Sequence, residues 1–586
     1  MDAALQKRIK RQVIGKQHRF LAVAPLGFEQ TLVKELEFIS EETRDERREN
    51  DCRHPEQYKN AKPFQPLAPA PDPGEGSSAE TAVYNASVEQ GSNRPHVTGD
   101  GKVEFTAKIT EAWKIVAFSR IANRVLMEIA NFKAENFREL EKKASEIPWE
   151  MYLEERRETT TMQGERRDQR SWAWPSRMVG TRAKRLSKDE RISNDVILSE
   201  AHRAKSKNPV NSAVHQATIH VTCKHSRLYH SDAIAERLHK IIDGGSLPLA
   251  PSRRENGPSV LQTKDERKST EAASRLDYAT PSPKGSAPKT PSQNLYVNFL
   301  DDRCTIWLDL AGEELYKRGH ERFVNEAPLK ETIAAAMLFE AFDATAQATN
   351  NVTPDPVPGP PYTLLDLMSG SGTFSLETAY IANKLIPGIC RDFALKHQPA
   401  FKEATWNFIT RSVTLSETKE PAESCKTFAT IAKIITSDIS ERAVNIIKHN
   451  IECSPLASIA PNAIDPKIRD FFTYTAKEIA DACGDASPVL VLNPPYGKRL
   501  DFDAPRLYTK IGKKLTELAN GLAAFNKRLT VAILAPKDDT REGGKYTCTT
   551  NLLRECPAIS PEHNPSAKII ETSHGGLSLN AIIATV

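Results

Sequence analysis

Residues 493–497 read Asn-Pro-Pro-Tyr-Gly, directly after the apolar run Val489-Leu490-Val491-Leu492. The side-chain oxygen of Asn493 and the backbone carbonyl of Pro494 are two hydrogen-bond acceptors. Proline has no competing N–H, and its fixed φ holds the carbonyl direction. Two such acceptors suit an amino nitrogen whose lone pair is delocalised into a ring or a carbonyl. That nitrogen is a poor nucleophile and must be held and turned toward its electrophile. Tyr496 offers a flat face on which a base stacks. Asn493, Pro494, Pro495 and Tyr496 are therefore the candidate catalytic residues. The same letters also fit an ordinary strand-to-turn junction.

A second candidate site lies upstream. Leu364-Leu365-Asp366-Leu367-Met368-Ser369-Gly370-Ser371-Gly372-Thr373 reads as a strand, a glycine turn and the start of a helix. Open α/β sheets bind ligands at the carboxyl ends of their strands. Gly370 and Gly372 let the backbone approach a ligand closely. No third glycine stands at the dinucleotide spacing, so the turn fits S-adenosylmethionine, which has no pyrophosphate, better than NAD. Asp366 is placed to meet the methionine amino group. Asp438 ends the run Ile434-Ile435-Thr436-Ser437, where an acid accepts both ribose hydroxyls or simply serves the next helix as a cap. Asp366 and Asp438 are 72 positions apart, whereas about 20 is usual. An insertion over 388–430 is therefore expected to loop out. Asp470, within Ile468-Arg469-Asp470-Phe471-Phe472, is placed to bind the adenine amino group or is a surface-loop acid. Lys498 and Arg499 fit either phosphate contacts or plain surface charge.

These residues need a scaffold. From about 327 onward, helical and strand periodicities alternate: helix 329–342, strand 362–368, helix 374–384, strand 431–436, helix 441–450, strand 489–492, helix 508–522 and strand 529–534. Such alternation implies a parallel, doubly wound α/β sheet. Segments 569–572 and 581–585 form a closing strand pair and imply an antiparallel edge. The N-terminal part reads as α+β, with strands at 21–24, 103–107 and 218–222 and a hairpin of 295–299 with 304–309. Residues 112–129 read as one amphipathic helix, with Ile115, Phe118, Ala122, Val125, Leu126 and Ile129 on one side. Stretches near 45–100, 156–208 and 245–293 are polar insertions. Three segments result: a basic tail 1–19, an RNA-binding type of region 20–325 and an α/β domain 326–586.

Composition narrows the classes. A chain of 586 residues exceeds one domain. Nine cysteines without a CxxC pair or a His-rich cluster argue against zinc, and no metal site is assigned. They also argue against a disulfide framework, and they fit a reducing, cytoplasmic setting. No run approaches the ~18 apolar residues of a membrane span. The basic N-terminus lacks the apolar segment of a secretory signal. Net charge is only +4, but residues 164–191 carry nine Lys/Arg against four acids, with Trp172 and Trp174 among them. Cations neutralise phosphates and indoles stack on bases. A solvated insertion has the same composition.

Asp366-Leu-Met-Ser-Gly-Ser-Gly-Thr373, Ser437-Asp-Ile-Ser440 and Asn493-Pro-Pro-Tyr-Gly-Lys-Arg-Leu500 together resemble the THUMP-domain class I RNA methyltransferases. The likeness is greatest to the bacterial 23S rRNA guanine-N2 methyltransferase type. Ala22-Val-Ala-Pro-Leu-Gly-Phe-Glu29, Ala117-Phe-Ser-Arg-Ile-Ala-Asn-Arg-Val-Leu126, Lys224-His-Ser-Arg-Leu-Tyr-His230 and Asp309-Leu-Ala-Gly-Glu-Glu-Leu-Tyr-Lys-Arg-Gly319 are similar to that family too. The resemblance implies a Rossmann-like class I methyltransferase domain, with an antiparallel C-terminal edge, preceded by an α+β THUMP-type module. It implies S-adenosylmethionine as methyl donor and guanine N2 in structured RNA as acceptor. It further implies that Lys330 and Thr332, in Ala327-Pro-Leu-Lys-Glu-Thr332, border the cofactor with Asp366, Ser369, Gly370, Gly372, Thr373, Asp438, Asp470 and Asn493. The chain departs from the pattern in its long insertions, and it has no room for the second methyltransferase domain of some members. The Asn-Pro-Pro-Tyr motif is shared with DNA adenine and protein glutamine methyltransferases. A tRNA guanine-N2 methyltransferase, a DNA adenine-N6 methyltransferase and a non-catalytic RNA-binding or assembly factor are the alternatives.

Overall fold

The computed structural model describes residues 3–52, 94–154, 217–243, 293–324, 328–350, 361–414, 429–497, 503–538 and 547–586. The basic, tryptophan-bearing stretch, most of the other two insertions, Lys498 and Arg499 lie outside these residues. Two seven-stranded sheets organise the rest. The first contains β1 (Gln17–Val23), β2 (His96–Gly99), β3 (Lys102–Lys108), β4 (Arg124–Lys133), β5 (Ala217–Lys224), β6 (Gln293–Leu300) and β7 (Arg303–Asp309). Their order is β2-β3-β1-β4-β7-β6-β5. Only β5 and β6 pair in parallel; the other pairs are antiparallel. Period-2 patterning builds this sheet: Phe20, Ala22, Val103, Phe105, Val125, Met127, Val297 and Ile306 enter one apolar core. Leu32 and Leu36 of helix Glu29–Cys52, Trp113 of helix Ile109–Phe118, Leu140 of helix Phe137–Ser145 and Leu238 of helix Ser231–Ile242 join them there.

Two sequence expectations change in this half. The stretch read as a basic tail is folded: Ala3–Ile9 is helical, a wider turn follows over Lys10–Ile14, and Ile9 and Val13 are buried. The single helix expected over 112–129 is helix Ile109–Phe118 followed by strand β4. The reason is remote in sequence. Glu35 accepts the backbone N–H groups of Arg120 and Ile121 and the hydroxyl of Ser119. These groups stand where a continuing helix would bond to itself, so the buried carboxylate turns the chain out of the helix. Val125 and Met127 then serve as the inward residues of a strand.

The second sheet contains β8 (Tyr362–Asp366), β9 (Ile431–Asp438), β10 (Lys467–Ile468), β11 (Ser487–Leu492), β12 (Thr530–Pro536), β13 (Lys568–His574) and β14 (Leu577–Thr585). Its order is β10-β9-β8-β11-β12-β14-β13. The first five strands are parallel, and β14 and β13 form the antiparallel edge. Every residue of β8 and β12 is buried. Strands covered on both faces read as unbroken apolar runs, which is why they were legible in the sequence.

The two halves share one apolar core. Helix Glu331–Asn350 lies between them. Its Glu340 accepts a hydrogen bond from Thr31 and pairs with Lys568, and its Asp343 pairs with Lys34. Gly27, at φ +84°, is pressed against β13: a Cβ there would stand 2.1 Å from the Glu571 carbonyl oxygen. The segment expected to loop out over 388–430 is folded through Thr414. Phe393 and Leu395 are buried, helix Glu403–Thr414 follows, and Phe401 packs 5.6 Å from Trp113. It is a brace against the first half, and its remainder lies outside the described residues. Among the described residues, no helix is long and apolar enough to cross a membrane.

Candidate active site

Parallel strands end at one rim, and this rim collects the chemistry. Asp470 lies just beyond β10, Asp438 ends β9, Asp366 ends β8 and Asn493 follows β11. These strands are adjacent, in that order. With strands about 4.8 Å apart, the four positions span roughly 14 Å, enough for an extended small molecule laid across the rim.

Asp366 is 1% exposed. Its Oδ2 accepts the Ser375 hydroxyl at 2.7 Å and the Ser375 N–H at 3.2 Å. Its Oδ1 is buried with no hydrogen-bond partner among the described residues, which leaves it open to a donor from outside them. Burial pushes its pKa up to about 7, the Ser375 bonds oppose this, and the Asp438 charge adds to it. The Ser437 hydroxyl is likewise buried and unpaired.

The glycine turn is tied to β9. Ser369 donates its N–H and its hydroxyl to the Ser437 carbonyl. Gly370 donates its N–H to Asp438 Oδ2 at 2.9 Å, and Ser440 donates to Oδ1 at 2.9 Å. Asp438 thus holds the loop. A carboxylate has about four acceptor positions, so two remain for a diol. A Cβ at Gly370 would meet nothing within 4 Å, whereas one at Gly372 would lie 2.9 Å from Ile447 Cγ1. Gly370 faces open space and Gly372 packs tightly on helix Glu441–Glu452. Asp470 caps the turn Phe471–Thr473 by accepting the Phe472 N–H. Ile439, beside Asp438, is 70% exposed. It is an apolar surface at the rim that the sequence reading missed. Its only signal was an isoleucine between polar neighbours.

Two of the residues expected to border the cofactor have side chains engaged with other groups. The Thr332 hydroxyl is fully buried and donates to Asn123 of the first half at 2.8 Å. Lys330 lies 3.7 Å from Glu314 and over the Tyr316 ring. Both serve the junction between the halves, a tertiary partnership that their local sequence does not reveal. Thr373 is held on one side by Arg322, which also pairs with Glu331. Tyr496 is engaged within the protein as well. Its ring is buried in the core and its hydroxyl donates to Asn493 Oδ1. The bond holds the Asn493 amide in place. Burial pushes its pKa upward, so it stays a donor.

A buried charge cluster supports the rim from behind. Glu377, on helix Thr373–Ala382, accepts from Arg318 Nε at 3.0 Å and Nη2 at 3.1 Å and lies 3.6 Å from Arg120 Nη1. Arg391 donates to the carbonyls of Ala311, Glu313, Glu314 and Lys317. The strap 310–324 is thereby laced to both halves. None of these residues was singled out from sequence, because single arginines carry no spacing signal.

Residues 318–542 match the UPF0020 family (RMKL-like, methyltransferase domain). The chain is 25% identical, over 71% of its length and 42% of the relative's, to a ribosomal RNA large subunit methyltransferase K/L of Allochromatium vinosum. It spans less than half the length of the curated relatives it matches. Two solved structures share the fold at 18% identity. One is a possible methylase from Clostridium difficile 630, with a TM-score of 0.53 over 97% of this chain and 98% of that one. The other is SMU.472, a putative methyltransferase complexed with SAH, with a TM-score of 0.52 over 97% and 98%. The strand order and the rim of acids agree with this match: residues 318–542 are similar to RMKL-like methyltransferase domains, and the chain has the fold of these solved structures.

Proposed function

We propose that this protein transfers a methyl group from S-adenosylmethionine to the exocyclic N2 of a guanine in large-subunit ribosomal RNA. The observation that carries the reading is the rim itself: three acids and an amide on four adjacent strand ends, with a buried, unpartnered oxygen on Asp366. Asp366 Oδ1 would receive the methionine ammonium. Asp438 would take the ribose hydroxyls, and Asp470 with Ile439 the adenine. The similarity to large-subunit rRNA methyltransferases supports the choice of RNA.

S-adenosylmethionine supplies a methyl group on a sulfonium, a good leaving group. The protein's part is then to hold and orient. Asn493 Oδ1 has two lone pairs; one accepts from Tyr496, and the other would accept from the amino group. The Pro494 carbonyl would take the second amino hydrogen. Held so, the N2 lone pair points at the methyl carbon. The donor would supply the methyl group as its C–S bond breaks toward sulfur, and one N2 proton would leave to water. A paired guanine must first leave its helix, at a few kcal/mol.

Incubation with methyl-labelled S-adenosylmethionine and unmodified rRNA, followed by nucleoside analysis, should yield labelled N2-methylguanosine. Label in tRNA alone would move the target, and label on DNA adenine would overturn the reading.

A pH dependence follows from Asp366. The free protein keeps this carboxyl protonated up to about pH 7, and an ammonium at Oδ1 favours the carboxylate. Binding then releases a proton. Affinity for S-adenosylhomocysteine should climb as the pH rises toward about 7, by up to about tenfold per pH unit, and level off above. Calorimetry in two buffers of different ionisation enthalpy reads the proton directly. Asp366→Asn should flatten the slope; an affinity that ignores pH in the parent protein would contradict the ammonium assignment.

A further inference from the structure

An open pocket of about 480 Å3 is lined by Phe323, Glu441, Arg442, Asn445, Ile446 and His449. It runs along the flank of helix Glu441–Glu452. At 1.5 Å per residue, its His449 end is about 12 Å from the Glu441 end, which is nearest Asp438. The pocket thus begins beside the rim and runs away from it along the helix.

Its chemistry is that of a nucleotide. Phe323 is 41% exposed, and its position is fixed from two sides. Its N–H donates to Asn450 Oδ1 at 2.7 Å, and its carbonyl accepts from Asn450 Nδ2 at 2.9 Å. His449 meets it edge-on, with ring centroids 4.3 Å apart and planes at 88°. A ring locked in this way offers a face without further ordering cost. Arg442 is exposed and has no hydrogen bond or ion pair to another described residue, so its charge is free for a phosphate. Asn445 presents an amide that both donates and accepts, and Glu441 accepts from a base amino group or a ribose hydroxyl. Asn450 also donates to the Ser371 carbonyl in the glycine turn, and Arg322, adjacent to Phe323 in sequence, holds Thr373. Whatever lies on Phe323 is thus one residue removed from the cofactor loop.

We propose that this pocket binds one unpaired nucleotide of the RNA substrate, its base against Phe323 and its phosphate at Arg442. The proposal rests on the RNA reading above. Base–aromatic stacking of this kind tolerates any sequence, so the pocket would grip a neighbour of the target guanine whatever its identity.

The test uses the full chain, a short single-stranded oligoribonucleotide and transcribed large-subunit rRNA. Phe323→Leu keeps bulk but removes the ring, Phe323→Tyr keeps the ring, and Arg442→Ala removes the cation. Phe323→Leu and Arg442→Ala should each weaken oligoribonucleotide binding about tenfold while S-adenosylhomocysteine affinity stays at the parent value. Phe323→Tyr should restore RNA binding. Parent-level RNA binding by both Phe323→Leu and Arg442→Ala overturns the proposal while leaving the methyl-transfer reading intact. Loss of cofactor affinity in step with RNA overturns it as well, by making the pocket part of the cofactor site. A parent protein that binds a free mononucleotide as tightly as the oligoribonucleotide shows a small-molecule site and also overturns it. A parent protein that binds cofactor but no RNA refutes both readings.

Discussion

Asn493→Ala should lower the rate of methyl transfer by about two to three orders of magnitude, the scale of losing one preorganised polar group at a reacting centre. The cofactor affinity should change by no more than about threefold, because the lost oxygen acts on the amine in the transition state. The structure makes the expectation specific. Asn493 stands directly after a strand whose Val489–Leu492 core is fully buried, and the Tyr496 hydroxyl fixes its Oδ1. The side chain is thus held before substrate arrives. Single-turnover kinetics with saturating cofactor, beside calorimetric cofactor binding, separates the two quantities. A folded variant that loses cofactor affinity, with transfer at saturation unchanged, would contradict the assigned role.

The largest effect on stability should come from Glu377→Gln. The carboxylate is wholly buried and faces two buried guanidiniums, Arg318 and Arg120. The amide keeps the shape but removes the charge, leaving two cations in a medium that solvates them poorly. Breaking a buried pair in this way costs about 3–5 kcal/mol. For a unit of this size the melting temperature should fall by roughly 10 °C. Burial already lowers the pKa of Arg120, with Glu377 as the leading opposing influence. Differential scanning calorimetry of both proteins decides the matter: an unchanged midpoint would mean that the cluster is solvated or compensated. Because Glu377 sits on the helix that leaves the glycine turn, the same variant should also weaken cofactor binding.

The catalytic half was legible in the sequence to a greater depth than the rest. Its central strands β8, β11 and β12 are buried on both faces, so they appear as apolar runs, and each rim residue sits within a few positions of a strand end. Asp366, Gly370, Gly372, Asp438 and Asn493 could be placed because strand, turn and helix are local. The N-terminal half was legible strand by strand, but not at 112–129. There the apolar spacing of a helix continues across a turn that Glu35 imposes from 85 positions earlier in the chain. The same limit explains 388–414, whose aromatic residues are anchored on Trp113 and on the strap, and which the long spacing from Asp366 to Asp438 marked as a looped-out insertion.

What the sequence by itself determined is the order of elements and the identity of the groups at the strand ends, since both follow from periodicity and from turn residues acting on their neighbours. What only the tertiary structure decided is where side chains with a choice of partners go. Thr332 turns to Asn123, Lys330 to Glu314, and Tyr496 into the core against Asn493. Each choice is made by residues far away in the chain, through burial that no local pattern records. The separation of roles at the rim, with Asp438 holding the loop and Asp366 left with an open oxygen, depends on the same long-range packing.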